Sequence, residues 1–426
     1  MRKLVGLQRR LIGSGARKSV AQVASGALSG QLMALLALPV ISRLYGPESF
    51  GSLAVVLSVS GILSEVVSLR LELAIPNSTD ASRARSIAKI ALCVSALMTS
   101  ALAVLMWIPH AQDISQALSP QYLPWTLAAS LLSATFNILS QLFIWRGRFA
   151  TLGMRSFWQG LVGTLSSIGL GLAGFLTYGL ILSQALGRIA AIAMMGGAIR
   201  HDGSESPARR RIRWRTLWKY PVLFTPAGIL NTLGGQLPLL LTAAWFGIQA
   251  AGLLGVAQRV LMLPASVVGL AIGQVYLGRL AEVRRSGKPD QRMAATRALK
   301  ALVPIGVAIT LGAFALAPLI GWILGSEWTD VSQFIQASAL VYGTSFIAAP
   351  LQMVLVANAK GGINLLLDGS RVVLVVTAAA TARQAGLSAV GTVAAMSIAQ
   401  AFNYGITIAA AWWSTVQWDR AQTQRI

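Results

Sequence analysis

Apolar stretches recur along the whole chain, and each is about 20 residues long, enough to cross the hydrocarbon core of a bilayer. Of the 426 residues, 55% are hydrophobic and 11% are charged, a composition that is wrong for a set of soluble domains. The pattern predicts an all-α polytopic membrane protein with about 12 transmembrane helices in two six-helix bundles. The expected spans are residues 19–42, 51–72, 87–108, 122–145, 154–176, 178–198, 221–245, 250–278, 301–324, 331–357, 363–381 and 387–413.

The cations of the chain are sorted between alternate gaps of this pattern. With the N-terminus in the cytoplasm, the outer loops contain only Arg43 and Arg383, and two more cations, Arg188 and Arg259, lie inside spans. The other 31 of the 35 Lys and Arg residues fall on the cytoplasmic side or at its membrane edge. Because positive loops are retained in the cytoplasm, the sorting predicts that both termini are cytoplasmic. A net charge of +22 would otherwise suggest a protein that binds nucleic acid, but the sorting of the cations between loops explains the charge without such a partner.

Two cytoplasmic gaps, residues 201–219 and 279–300, are much richer in Lys and Arg than the others. We interpret both as topology signals that contact anionic membrane lipids. The first gap falls near the middle of the chain. It predicts a basic linker, residues 199–220, between an N-terminal six-helix lobe, residues 1–198, and a C-terminal six-helix lobe, residues 221–426.

The beginnings of the two predicted lobes resemble each other. In the first, Leu38-Pro39 is followed by Tyr45-Gly46, and in the second, Leu237-Pro238 is followed by Phe246-Gly247. Both copies connect an outgoing helix to an incoming helix, so we interpret them as an internal repeat with parallel topology. Transporters with such repeats bind substrate between the halves. The repeat therefore predicts a transporter-like plan.

Five ionisable residues stand out because charge in hydrocarbon is costly and usually faces a bundle interior or a wet cavity. Glu65 lies past the midpoint of the second span, and Arg70 and Glu72 lie at its cytoplasmic end. Glu65 and Glu72 are seven residues apart, which predicts that they share one helical face. Arg188 lies near the middle of span six and Arg259 about 15 Å into span eight. These two residues have no acidic neighbour in their own spans, and this favours an anionic ligand. A phosphate is one example, because Arg binds phosphate bidentately.

Each of these residues has an alternative interpretation, which for Arg188 and Arg259 is a purely structural role. Glu65 either neutralises an Arg on a neighbouring helix or couples transport to an ion, and the sequence leaves both open. For Arg70 and Glu72, an interfacial anchor and its partner are favoured, although Arg70 remains a candidate for cargo and Glu72 for ion coupling. The amides of Asn231 and Gln258 are further candidates for substrate binding.

The remaining charges and motifs indicate little chemistry. Asp368 and Arg371 are three residues apart, which predicts an ion pair within one helix. The chain has one cysteine and two histidines, and no P-loop, HExxH or GxSxG pattern. We therefore predict no metal site, no cofactor and no enzymatic activity.

Three segments carry a family resemblance. They are Ile41 to Gly51 (ISRLYGPESFG), Leu69 to Pro76 (LRLELAIP), and Pro221 to Glu282, which includes AQRVLMLP and GQVY. These segments resemble the Wzx-like polysaccharide flippases of lipopolysaccharide and O-antigen synthesis. That family belongs to the multidrug/oligosaccharidyl-lipid/polysaccharide exporter (MOP) superfamily.

The resemblance implies two six-helix bundles that open alternately to each side of the bacterial inner membrane. The implied cargo is an undecaprenyl-diphosphate-linked oligosaccharide, moved from the cytoplasmic to the periplasmic leaflet. A cationic central cavity would bind the diphosphate, a role that Arg188 and Arg259 could fill by position. Since the chain has no nucleotide-binding motif, a proton or sodium gradient is the expected energy source.

Two alternatives remain at this point. A cation-coupled multidrug exporter with the same fold would favour acidic cavity residues, of which Glu65 is the one deep candidate. A membrane enzyme of polysaccharide assembly needs a polar catalytic loop. The longest outer loop, residues 109–121, offers only His110 and Asp113, which makes an enzyme the least favoured interpretation.

Overall fold

The computed structural model describes residues 25–424 except residues 27, 106–119, 201–216, 287–289 and 359. Throughout these described ranges the chain is helical, with short turns and no strand. The long helices are α1 (Leu38–Leu44), α2 (Pro47–Ser68), α3 (Ala81–Leu105), α4 (Leu123–Trp145), α5 (Phe149–Leu172), α6 (Leu176–Arg200), α7 (Thr225–Ser286), α8 (Gln291–Leu324), α9 (Val331–Ala357), α10 (Gly361–Gln384) and α11 (Ala389–Thr423). Short helical turns occupy Leu71–Ala74, Pro120–Tyr122, Tyr220–Phe224 and Ser326–Trp328.

Helix α7 is two membrane spans joined at Gly247. At 62 residues, an unbroken helix would be about three times longer than the hydrocarbon core is thick. Gly247 has φ of 88° and ψ of 170°, values that no helix contains and that glycine adopts readily. The break separates residues 225–246 from residues 248–286. Together with α1, which continues helical residues 28–36, the described chain therefore has a helical segment at each of the twelve predicted spans.

The predicted boundaries fail where helices extend beyond the apolar spans. Helix α8 begins at Gln291, ten residues before the predicted span, and α11 continues to Thr423, ten residues after the predicted end. Hydropathy locates the apolar crossing, whereas the helix continues beyond it into polar and charged residues. At the tight gap near residue 177, α5 ends at Leu172 and α6 begins at Leu176, and Gly174 adopts a φ of 80° in the turn between them.

Nine helices in the described ranges are long and apolar enough to cross a membrane, and one of these, Tyr220–Met262, contains the break at Gly247. The fold is thus that of an all-α, multi-pass membrane protein built from two helical bundles, as predicted. By their internal contacts, one compact unit extends to Gly252 and the other is Leu253–Ile426. The segment before the Gly247 break belongs to the first unit in this grouping. The division into lobes at a basic linker stays a prediction, and most of that linker lies outside the described residues.

Each unit has its own apolar core. In the first unit, buried side chains of the Leu71–Ala74 turn, α3 and α4 pack together, with Ile75 and Ile138 fully buried. In the second unit, the core joins α8, α9 and α11 around Leu302, Leu351 and Leu355. These cores hold the ends of α2, α8 and α11, which carry the polar sites described below.

Candidate functional site

A charge cluster lies where α2 ends in the first unit. We define the α2 charge cluster as Glu65, Arg70 and Glu72. The Nε atom of Arg70 forms an ion pair with Oε2 of Glu65, and its Nη1 atom lies 3.7 Å from Oε1 of Glu72. The side chains are 26% exposed for Arg70, 14% for Glu65 and 4% for Glu72, so one guanidinium serves two largely buried carboxylates.

The backbone after α2 creates this cluster. Helix α2 ends at Ser68, and both Leu69 and Arg70 adopt left-handed conformations, with φ of 47° and 54°. The predicted common helical face for Glu65 and Glu72 is therefore wrong, because the helix stops between them. Instead, the reversal folds Arg70 back between the two carboxylates.

The left-handed turn is conformationally costly. Two consecutive non-glycine residues in this region cost about 1–2 kcal/mol each, and surrounding contacts must offset that cost. The backbone N–H of Arg70 donates to Oγ of Ser68 at 3.2 Å, and the following Leu71 and Ile75 are buried in the core of the unit. Strain of this kind is concentrated at functional sites in proteins.

Helix α7 completes the surroundings of the cluster. Oγ1 of Thr232 donates a hydrogen bond of 3.1 Å to Oε1 of Glu65. Gly228, one helical turn earlier, allows a close approach, since a Cβ atom there would lie 2.5 Å from Nε of Arg70 and 2.9 Å from Oε2 of Glu65. One turn later, Gln236 accepts a hydrogen bond of 2.8 Å from Ser58 of α2.

Gly228 and Thr232 are not among the site residues predicted from the sequence. Their signal was the spacing of residues 228, 232 and 236, which places one glycine and two polar side chains on the same face of an apolar helix.

Burial raises the pKa of Glu72, which lies in the turn beyond the last residue of α2. That shift has the direction expected for a carboxyl group moved out of water.

The structure shows where each predicted site residue lies. In the part of the chain that the structure describes, Glu65 pairs with Arg70 of the turn that follows its own helix, not with an Arg on a neighbouring helix. Arg188 is on α6, and its Nη1 atom donates to the backbone carbonyl of Ala129 on α4 at 3.4 Å. It thus contacts a different pair of helices from those around the α2 charge cluster.

The other three candidates are on α7. Asn231 is exposed and directly precedes Thr232, whereas Gln258 and Arg259 are partly buried beyond the Gly247 break, in the second unit. The structure thus brings Glu65, Arg70 and Glu72 together and leaves the binding roles of Arg188, Asn231, Gln258 and Arg259 as predictions.

The predicted ion pair in the second unit is confirmed. Nη2 of Arg371 lies 3.4 Å from Oδ1 of Asp368, and both residues are buried on α10. Nη1 of Arg371 also donates to the hydroxyl of Tyr404 on α11 at 3.2 Å. Within the described ranges, no group of three or more His, Cys, Asp or Glu side chains is placed to hold a metal ion.

Comparison with solved structures identifies the fold. A MATE transporter in complex with MaL6 is 15% identical, covers 96% of this chain and 98% of its own, and superposes with a TM-score of 0.66. An outward-facing multidrug resistance transporter of the MATE family, in the MOP superfamily, is 14% identical with 97% and 98% covered and a TM-score of 0.63. A MATE transporter in complex with Rb⁺ is 15% identical with 96% and 98% covered and a TM-score of 0.57. The protein thus has the fold of MOP-superfamily membrane transporters.

Sequence comparison identifies the family of the chain. A family model described as polysaccharide biosynthesis protein matches residues 40–333, which is more than half of the chain. The chain belongs to this polysaccharide biosynthesis family, as its sequence motifs predicted. No curated protein matches it significantly in sequence.

Proposed function

We propose that the protein is a flippase that moves an undecaprenyl-diphosphate-linked oligosaccharide from the cytoplasmic to the periplasmic leaflet by alternating access. The family match over residues 40–333 carries the proposal, since it associates a transporter fold with polysaccharide biosynthesis. The flipped lipid would supply the synthesis of a surface polysaccharide such as O-antigen. The protein would lie in the bacterial inner membrane with both termini in the cytoplasm, the orientation that the sorted cations favour.

The diphosphate of this cargo needs cationic partners inside the membrane. Arg188 and Arg259 are the proposed ligands, with the amides of Asn231 and Gln258 as hydrogen-bond donors to the sugar or phosphate oxygens. Arg70 is a third ligand in this proposal. It is held by carboxylates, so an arriving anion would compete with Glu65 for the same guanidinium.

The α2 charge cluster also suits ion coupling. When its three side chains are all ionised, one Arg and two Glu carry a net charge of −1, and a proton or sodium ion would neutralise it. Cation binding at Glu65 or Glu72 would loosen the hold on Arg70 and leave it available to the cargo. The solved MATE transporter in complex with Rb⁺ supports a cation as partner within this fold.

The experiment is complementation of a strain that lacks its lipid-linked oligosaccharide flippase. Arg188→Ala and Arg259→Ala should each abolish surface polysaccharide while the protein remains in the membrane at normal amounts. The matched control is Arg43→Ala, which removes an exposed Arg and should leave export unchanged. Normal export in both intramembrane variants would refute the cargo site.

A second variant pair tests ion coupling separately. Glu65→Gln should abolish export that depends on an ion gradient, whereas Glu48→Gln, at an exposed carboxylate of the first turn of α2, should not. If export by the Glu65→Gln protein stops when the gradient is dissipated and returns to the wild-type rate when it is restored, Glu65 is not the coupling residue. The orientation is tested by fusing a reporter enzyme after α11. A reporter that works only in the cytoplasm should be active there, and one that works only in the periplasm should be inactive.

Multidrug export is the second candidate, because a solved relative of the same fold is a multidrug resistance transporter. It predicts resistance to cationic drugs when the protein is overproduced, and a loss of that resistance in Glu65→Gln. Under the flippase proposal, drug resistance is unchanged.

A further inference from the structure

An open cavity of about 770 Å³ lies between the first turn of α8 and the last turns of α11, entirely within the second unit. Its lining includes Arg292 and Thr296 from α8, and Val416, Arg420 and Thr423 from α11. The volume falls within the range of about 300–1,000 Å³ that is usual for small-molecule sites. The cavity is remote from the α2 charge cluster in sequence and belongs to the other unit.

The cavity carries a net positive charge. Among its described lining residues the one carboxylate is Asp419, which is already engaged by α8. Its two oxygens accept hydrogen bonds from the backbone N–H groups of Gln291 at 3.0 Å and Arg292 at 2.9 Å. An acidic group at a helix N-terminus offsets the positive end of the helix dipole. The charges of Arg292 and Arg420 are therefore the ones left to attract a ligand.

A pair of tryptophans places the cavity at the membrane surface. Trp412 and Trp413 are 36% and 49% exposed, and adjacent exposed Trp side chains are typical of the boundary between hydrocarbon and head groups. The guanidinium of Arg292 lies 5.2 Å from the centre of the Trp412 ring, and Nζ of Lys360 lies 5.9 Å from that of Trp413. Arg292, the cavity cation that contacts this pair, is thus at the level of lipid phosphates.

We infer that this cavity binds the phosphate head group of an anionic phospholipid. Two arginines from different helices would bind the phosphate oxygens, and the hydroxyl of Thr296 would add a polar contact. The Trp pair would pack against the start of the acyl chains. A basic cavity between helices at this depth is the arrangement that recognises anionic head groups.

The test uses the full-length protein in a neutral detergent and measures its thermal unfolding midpoint during lipid titration. Cardiolipin or phosphatidylglycerol should raise the midpoint, whereas phosphatidylcholine should not. Because a charge-assisted hydrogen bond from an Arg to a phosphate contributes about tenfold to affinity, Arg292→Gln/Arg420→Gln should weaken the apparent affinity about 100-fold. The single variant Arg420→Gln, at the exposed end of α11, should weaken the apparent affinity about tenfold. It covers the case in which the double variant fails to fold.

The matched control removes two cations elsewhere. Arg83→Gln/Lys89→Gln lowers the net charge by the same amount on α3 and should leave the apparent affinity unchanged. Equal losses in this control and in the Arg292→Gln/Arg420→Gln variant would mean diffuse attraction to a basic surface and would overturn the site. Stabilisation by inorganic phosphate at the same concentrations as cardiolipin would identify a free-anion site and would overturn the assignment to a lipid.

Discussion

Gly228 offers the sharpest perturbation of the α2 charge cluster. A methyl group at this position would lie 2.5 Å from Nε and 2.8 Å from Nη2 of Arg70, too close for any real contact. In Gly228→Ala, either Arg70 leaves Glu65 or α7 moves away from α2. Overpacking of this kind costs about 1–3 kcal/mol, and displacing one partner of a largely buried ion pair adds a similar amount.

The helix itself gains from the substitution, since Ala is about 1 kcal/mol better than Gly within a helix. The net loss of stability expected for Gly228→Ala is therefore about 1–5 kcal/mol. Gly235 is the matched control, because it lies on the same helix and a methyl group added there would meet no atom within 4 Å. Gly235→Ala should be neutral or stabilising by up to about 1 kcal/mol.

The assay is thermal unfolding in detergent, combined with a double-mutant cycle. Arg70→Gln should be strongly destabilising in the wild-type background and much less so in Gly228→Ala, where the ion pair is already displaced. The two changes should thus be coupled by about 0.5–3 kcal/mol. Equal stability of Gly228→Ala and Gly235→Ala, or additive effects in the cycle, would refute the reasoning.

Three further substitutions test contacts that hold the bundles. Tyr45→Phe removes the buried hydrogen bond of 2.8 Å to the carbonyl of Ser167 and should cost about 1–2 kcal/mol by thermal unfolding. Asp368→Asn leaves Arg371 without its buried carboxylate partner and should cost about 3–5 kcal/mol. Gly187→Ala places a methyl group 2.7 Å from the backbone carbonyl of Gln159 on α5 and should cost about 1–3 kcal/mol.

Each of these has a control in the same chain. Tyr178→Phe removes a long, exposed hydrogen bond of 3.4 Å, Glu327→Gln changes an exposed carboxylate, and Gly196→Ala adds a methyl group with nothing within 4 Å. All three should change stability by less than about 0.5–1 kcal/mol. A control that destabilises as much as its partner would show that the named contact is not the cause.

The sequence predicted the spans well because hydropathy and helix length are properties of short segments. The break at Gly247 fell in a predicted gap for the same reason, since a glycine between two apolar runs favours a turn. The start of α8 was misplaced by ten residues, because a helix that continues past the apolar crossing into polar residues leaves no apolar signal. Periodicity could not show that α2 stops at Ser68.

The site was less predictable than the fold. Glu65 and Arg70 are five residues apart, a spacing that does not bring side chains together on a regular helix. Their ion pair exists because Leu69 and Arg70 both adopt a left-handed backbone conformation. Neither Leu nor Arg is a residue type that predicts this conformation. The contributions of Gly228 and Thr232 depend on the packing of α7 against α2, which is a tertiary contact. By contrast, Asp368 and Arg371 were paired correctly because their spacing is local to one helix.

Reconstituted flipping tests the central claim most directly. The purified protein would be placed in proteoliposomes that carry a fluorescent undecaprenyl-diphosphate-linked oligosaccharide in one leaflet, and a proton or sodium gradient would be imposed. Wild-type protein should transfer the lipid to the other leaflet, and Arg188→Ala and Arg259→Ala should not. Proteoliposomes that leave this lipid in place but move a cationic dye along the same gradient would contradict the account and favour a multidrug exporter.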